Sequence, residues 1–140
     1  MLGPNDFVGV WQLERKLEDR LGVMDGTLVG KAVFDGGGDA DLGGLRYEES
    51  GSLTLASGGV MQATRTYYWQ FDDSEVHVRF ADGMPFHGFV PHGQSAGTPH
   101  LCGADLYVCA YDFTHWPAWK AVWTVKGPSK DYISTSHYRR

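Results

Sequence analysis

His100, Asp105 and Tyr107 lie close together in the chain and combine three residue types that move protons. One is an imidazole that titrates near neutrality, one a carboxylate able to orient it, and one a phenol able to donate. They form the candidate catalytic set, with His87 as a further imidazole. The structural alternative is that each histidine is a hydrogen-bonded residue near a strand end. No Gly-x-Ser-x-Gly accompanies them, and Cys102 and Cys109 lack both Cys-x-x-Cys spacing and any motif that marks a reactive thiol. The cysteines therefore read as packing residues. His87, His92 and His100 are spaced too loosely for the converging ligands of a metal site, so neither a metal nor another cofactor is expected.

Arg15 and Arg65 offer a different chemistry, recognition of a carboxylate or phosphate through paired N–H donors. Whether they perform it depends on the elements that carry them. Period-two alternation bounded by Gly and Asp clusters runs through the chain and predicts β-strands. Phe7, Gly9, Trp11, Leu13 and Arg15 share one face of the first strand. Lys31 to Phe34 reads as a second strand, ended by the turn from Asp35 to Asp39, and Leu45 to Glu49 as a third, followed by Ser52 to Leu55. Leu17 to Asp25, between the first two, reads as a brief helical cap or a long loop.

From Val60 to Phe71 the alternation is clearest, with Met61, Ala63, Arg65, Tyr67, Trp69 and Phe71 on one face. After a turn at Asp72-Asp73-Ser74, Val76, Val78 and Phe80 face inward; Phe86 to Phe89 is a short strand beyond the turn at Asp82 to Pro85. Pro91 to Pro99 is too rich in Gly, Pro, Ser and His to be regular and is the candidate mobile lid. Asp105 to Phe113, Trp119 to Lys126 and Tyr132 to Tyr138 complete the set.

Eight to ten strands without a sustained helical period predict an all-β fold, an antiparallel up-and-down β-barrel spanning residues 1–140 as a single domain. Closure is favoured over a flat meander because it removes unpaired edges. The 19 glycines and 14% aromatic residues fit many strands joined by tight turns.

The interior of such a barrel holds side chains or one small ligand, so its polar inward residues carry the information. Alternation places Arg15, Arg65, Tyr67, Asp105, Tyr107 and Tyr111 inward, and loop positions put His87 and His100 near the mouth. Buried guanidinium groups need carboxylates or an anionic ligand, and Asp105 can satisfy one of them. One reading is an internal salt bridge filling a barrel that acts only as a structural or interaction module. The other is a pocket for a small, anionic and partly apolar molecule, held by Arg15 or Arg65 and lined by Tyr67, Trp69, His87, His100, Asp105, Tyr107 and Trp123.

Gly9-x-Trp11, the hairpin meander and the basic end Tyr138-Arg139-Arg140 resemble the calycin superfamily of lipocalins and fatty-acid-binding proteins. There a Trp on the first strand closes one barrel end, often packed by an Arg from the last. Asp82-Gly83-x-Pro85-Phe86-His87, His100-x-Cys102-x-x-Asp105-x-Tyr107 and Trp123-x-Val125-x-Gly127-Pro128-x-Lys130-Asp131-Tyr132 are similar to an uncharacterised bacterial family, a domain of unknown function with a lipocalin-like barrel, over nearly the whole chain. This resemblance implies a fold and no activity. Gln12-Leu13-Glu14 after Trp11 departs from the Gly-rich continuation of the haem-binding nitrobindins. His137 alternates outward with Ile133 and Thr135, which speaks against it as a haem ligand. Calycin-like enzymes use Tyr, Arg and acid sets on aromatic acids. The resemblance thus implies an alternative function, a lyase or isomerase acting on a small aromatic or unsaturated acid through His100, Asp105 and Tyr107.

A net charge of −5 without any cluster of Lys and Arg argues against a nucleic-acid partner. No apolar run is long enough to span a membrane and Met1 to Asp6 lacks the features of a secretion signal, so a cytoplasmic location is expected. Aromatics on both faces of Tyr111 to Trp123 predict cover from outside the barrel. That cover is either a homodimer contact through Leu106, Val108 and nearby aromatics or the Leu17–Asp25 segment packed over the wall.

Overall fold

A computed structural model of the chain describes residues 1–36 and 44–140. Of the turn expected from Asp35 to Asp39, the part from Gly37 lies outside the described residues. Among the described residues a four-residue helix α1 (Pro4–Phe7) precedes eleven strands: β1 (Gly9–Asp19), β2 (Gly26–Asp35), β3 (Gly44–Leu55), β4 (Val60–Phe71), β5 (Val76–Phe80), β6 (Pro85–Phe89), β7 (Gln94–Ala96), β8 (His100–Cys102), β9 (Asp105–Asp112), β10 (Trp119–Gly127) and β11 (Lys130–Arg139). All pairings are antiparallel, in the order β6-β5-β4-β3-β2-β1-β11-β10-β9-β7, with β8 also on β9.

The count exceeds the expected eight to ten because β7 and β8 have only three residues each, too few to show a period of two. Their location also corrects the reading of Pro91 to Pro99 as an irregular lid. β7 pairs with β9, and beyond it Gly97 N–H donates to the Cys109 carbonyl at 2.8 Å. Thr98 N–H donates to the Gly88 carbonyl at 2.8 Å, while its Oγ1 accepts from Gly88 N–H at 2.8 Å. The segment thus bridges β6 to β9 and nearly closes the barrel. It is wall, and the otherwise unpaired backbone of two edge strands is what recruits it.

Leu17–Asp25 is neither a helical cap nor a long loop. β1 runs on through Leu17 to Asp19, and a turn held by carboxylates leads into β2. Asp19 accepts from the N–H groups of Leu21 and Met24 at 2.9 and 3.0 Å, and Asp25 accepts from Asp19 N–H at 2.6 Å. β3 is one strand where the sequence suggested two, because Gly51 sits opposite Gly30 on β2. A Cβ on Gly51 would come within 2.7 Å of the Val29 carbonyl oxygen, so glycine here serves close backbone approach instead of a break.

One barrel end is sealed by aromatics. α1 inserts Phe7, fully buried, among Phe34, Trp69, Phe71, Phe113, Trp116 and Trp119, with ring centroids 5.0–6.0 Å apart. Trp11 Nε1 donates to the Phe7 carbonyl at 2.8 Å, and the Arg140 guanidinium lies 4.1 Å from the Trp11 ring centroid. Arg140 also donates to the Asp6 and Val8 carbonyls at 2.6 and 3.2 Å, tying the last strand across the entry of the first. The aromatics of Tyr111 to Trp123 belong largely to this plug, so their density reflects the closed end and not an outer layer supplied by Leu17–Asp25. Leu106 and Val108 are exposed on the outer face. Among the described residues no helix is long and apolar enough to cross a membrane.

Candidate ligand-binding site

Above the plug the barrel encloses a cavity of about 530 Å³. Its wall is the inward half of the alternation: Arg15 and Leu17 from β1, Tyr47 and Glu49 from β3, Arg65, Tyr67 and Trp69 from β4, His87 from β6, Tyr107 and Tyr111 from β9, Trp123 from β10, and Tyr132, Ser134, Ser136 and Tyr138 from β11. The side bounded by β1, β3, β4 and β11 is polar. The side from β5, β6, β9 and β10 is aromatic, with Phe86 stacked on Trp123 at 4.9 Å and 10° and on Phe80 at 4.3 Å and 20°.

Arg15 is neutralised internally, though not by Asp105 as the sequence suggested. Its two terminal nitrogens donate to Glu49 Oε2 and Oε1 at 2.6 and 3.0 Å, and its Nε donates to Ser136 Oγ at 2.6 Å. The Tyr47 hydroxyl donates to the same Glu49 at 2.8 Å and shares a 2.8 Å hydrogen bond with Tyr138. Burial works against both charges of this pair, yet their mutual hydrogen bonds and attraction hold Glu49 below the usual carboxylate range and raise Arg15 further. Glu49 is the residue that sequence reasoning missed. The alternation of Leu45, Tyr47 and Glu49 carried the signal, since two apolar inward residues imply an inward third.

Arg65 is a different case. It lines the cavity and remains accessible through the mouth, with no carboxylate within ion-pair distance among the described residues. Burial disfavours its charge; Tyr67 and Glu49 outweigh that penalty, so its pKa is raised overall. Two cations were read from the sequence as sharing one role, and the fold separates them.

The candidate catalytic set does not assemble as expected. Asp105 meets Lys130 Nζ at 3.3 Å, and Lys130 donates to the Tyr107 hydroxyl at 2.9 Å, a pairing at the β10–β11 turn that the sequence did not suggest. His100 makes edge contacts with the rings of Phe80, Phe86 and Tyr107 and hydrogen-bonds neither Asp105 nor Tyr107. His87 lies in the wall and not at the mouth: it is buried, shares a 2.8 Å hydrogen bond with the Tyr111 hydroxyl through Nε2, and stands edge-on to Trp123. Burial, then the nearby His100, pushes its pKa down to about 3, so it is neutral at physiological pH. Trp69 closes the cavity floor against the plug. Burial pushes the Cys109 thiol up to about 12, in keeping with a packing role, whereas Cys102 is exposed at the mouth. The described residues also hold one exposed His–carboxylate group, Asp72, Glu75 and His77, away from the cavity on the β4–β5 turn.

The fold and site define an all-β, antiparallel, nearly closed barrel sealed by Phe7 and Trp11 at one end, with a charged and aromatic interior. The chain belongs to the family of unknown function DUF6314, whose profile matches residues 7–140. Among solved structures it resembles a protein of unknown function from the DUF3598 family of Nostoc punctiforme, with a TM-score of 0.61 and 17% identity over 99% of this chain. This chain spans about half, 48%, of that protein. It also resembles the S-type phycobiliprotein lyase CPES of Guillardia theta, with a TM-score of 0.62 and 11% identity over 96% of this chain and 87% of the other. At these identities the likeness is one of fold. No curated protein matches the sequence.

Proposed function

We propose that the barrel binds a small, partly apolar anionic molecule in its cavity, with Arg65 as the anchor. The observation that carries this reading is the contrast between the two lining arginines: Arg15 is satisfied by Glu49, whereas Arg65 faces the cavity with no carboxylate within ion-pair distance among the described residues. A guanidinium exposed at the mouth of the cavity attracts an anion with paired donors. The aromatic side formed by Phe86, Trp123 and Tyr107 supplies apolar contact for the remainder of the molecule. A cavity of about 530 Å³ argues against a barrel filled by its own side chains.

Native mass spectrometry of freshly purified protein, compared with its denatured mass, tests the reading and reports subunit number as well. An extra mass that is lost on denaturation, and is absent from folded Arg65→Met, supports it. Retention by Arg65→Met equal to wild type rejects Arg65 as the anchor. A second reading, a lyase that acts on the bound molecule, is favoured by the likeness of fold to the S-type phycobiliprotein lyase. Turnover of aromatic or unsaturated acids that is lost in His100→Ala would favour it, and rates unchanged by that substitution would remove His100 from the chemistry.

A further inference from the structure

The polar side of the cavity holds hydroxyl groups beside the guanidinium of Arg65. Ser134 is 6% exposed, lines the cavity and makes no hydrogen bond, and its hydroxyl is not sealed off from the cavity space. Tyr132, two residues earlier on the same face of β11, also lines the cavity, as does Tyr67, two residues after Arg65 on β4, whose hydroxyl accepts from the Arg65 guanidinium and keeps its own proton to donate. An unused donor as buried as that of Ser134 is costly unless a ligand or water accepts from it. β4 and β11 are separated in the sheet by β3, β2 and β1, so in the curled sheet Arg65 and Tyr67 stand across the cavity from Tyr132 and Ser134. The two sides are electrostatically in touch: burial and Tyr107 raise the Tyr132 pKa, and the charge of Arg65 opposes that rise.

Charge counting then narrows the ligand. Arg15 and Glu49 cancel, the lining carboxylate of Asp19 is taken up by the Leu21 and Met24 N–H groups of its own turn, and Asp105 is matched by Lys130 outside the lining. His87 is neutral, and among the described residues Arg65 is the lining cation with no carboxylate within ion-pair distance. Resting on the binding reading above, we infer that the site is a clamp for one carboxylate on an aromatic or conjugated body. Arg65 supplies the paired N–H donors, the hydroxyls of Tyr67, Tyr132 and Ser134 cover the remaining lone pairs, and the body lies on the Phe86–Trp123 side. A carboxylate carries one charge and about four lone-pair sites, which matches one guanidinium and a few hydroxyls. A phosphate monoester carries nearly two charges at neutral pH and would be under-compensated here. With the faces of Phe86 covered by Phe80 and Trp123, these lining rings offer edges to the cavity, and edge-to-face contact suits a planar aromatic body better than a flexible chain.

Isothermal titration calorimetry with four probes tests this inference: 2-naphthoate, its methyl ester, 2-naphthyl phosphate and decanoate. The expected order places 2-naphthoate tightest. Ser134→Ala, Tyr132→Phe and Tyr67→Phe, each shown to be folded by near-UV circular dichroism, should each weaken naphthoate about tenfold, the scale of losing one hydrogen bond to a charged group. The same variants should leave the methyl ester within about threefold, because the ester lacks the charge that strengthens those bonds. An ester that binds as tightly as the acid overturns the clamp while leaving the cavity as a binding site. Tighter phosphate overturns the single-charge class, and tighter decanoate overturns the aromatic body. Hydroxyl variants that bind naphthoate like wild type overturn the roles of Tyr67, Tyr132 and Ser134. Binding of none of the four overturns both the clamp and the binding reading beneath it.

Discussion

Of the two guanidinium groups inside the barrel, only that of Arg15 meets a carboxylate, and its geometry is bidentate with both partners largely removed from solvent. Removing one partner strands the other. Glu49→Ala should therefore lower stability by about 3–5 kcal/mol, read from urea denaturation, whereas the apolar double variant Arg15→Met/Glu49→Leu should recover most of the loss. A double variant as unstable as the single one would show that Tyr47 and Tyr138, and not the stranded charge, set the cost. His87 yields a prediction about pH. Its pKa falls to about 3 in the folded protein from an ordinary 6.5, so below that ordinary value the unfolded chain binds a proton that the folded chain refuses. The stability it contributes is present above the unfolded pKa and is lost as pH falls toward the folded one, at about 1.4 kcal/mol per pH unit. Between pH 6.5 and 5, above the range where most carboxylates titrate, His87→Gln should show a flatter dependence of Tm on pH than wild type. Parallel slopes would remove His87 as the source.

Two elements decide whether the barrel closes around these residues. β2 and β3 pass at backbone contact where Gly30 faces Gly51, and a Cβ on Gly30 would collide with the Ser50 carbonyl oxygen. That obstacle is backbone and cannot rotate away. Gly30→Val is expected to destabilise by about 1–3 kcal/mol or more, visible as a lower denaturation midpoint, and wild-type stability would mean the strands can separate there without cost. On the far side, Thr98 joins β6 to β9 through one side-chain and one backbone hydrogen bond to Gly88. Thr98→Val keeps the shape and removes the hydroxyl acceptor. Amide exchange at Gly88 should accelerate in that variant while exchange in β1 and β2 stays unchanged. Uniform acceleration would indicate global destabilisation instead of opening of this seam.

The whole molecule divides its labour along the barrel axis. The aromatic end, where Phe7, Trp11 and Trp119 pack and Arg140 covers Trp11, holds the fold together. The cavity beyond it carries the chemistry. Phe7→Ala should cost about 3–5 kcal/mol because it leaves a void ringed by aromatics, yet folded protein should keep whatever the cavity retains. Arg65→Met should do the reverse, releasing retained mass at near wild-type stability. Thermal unfolding and native mass spectrometry on the two variants separate these roles. Loss of both properties in either variant would mean that the plug and the cavity are one cooperative unit.

The longer strands and their inward faces could be read from the residues alone, since alternation is a local property of extended chain and needs no partner to be seen. The faces of β1, β4, β5, β9 and β11 were legible in this way, down to the inward arginines and tyrosines, and Gly9-x-Trp11 with the basic C-terminus pointed to the sealed end. Continuity was less legible. Gly51 looked like a break because its use depends on Gly30 in another strand, and β7 and β8 are too short to carry a period. Which inward groups satisfy one another is set by the assembled barrel. Arg15 finds Glu49 at a separation of 34 residues and Ser136 at 121, while nearby Asp105 turns to Lys130. The pairing of a buried charge is set by strand order and register around a nearly closed barrel, and those are properties of the assembled sheet that no single strand encodes.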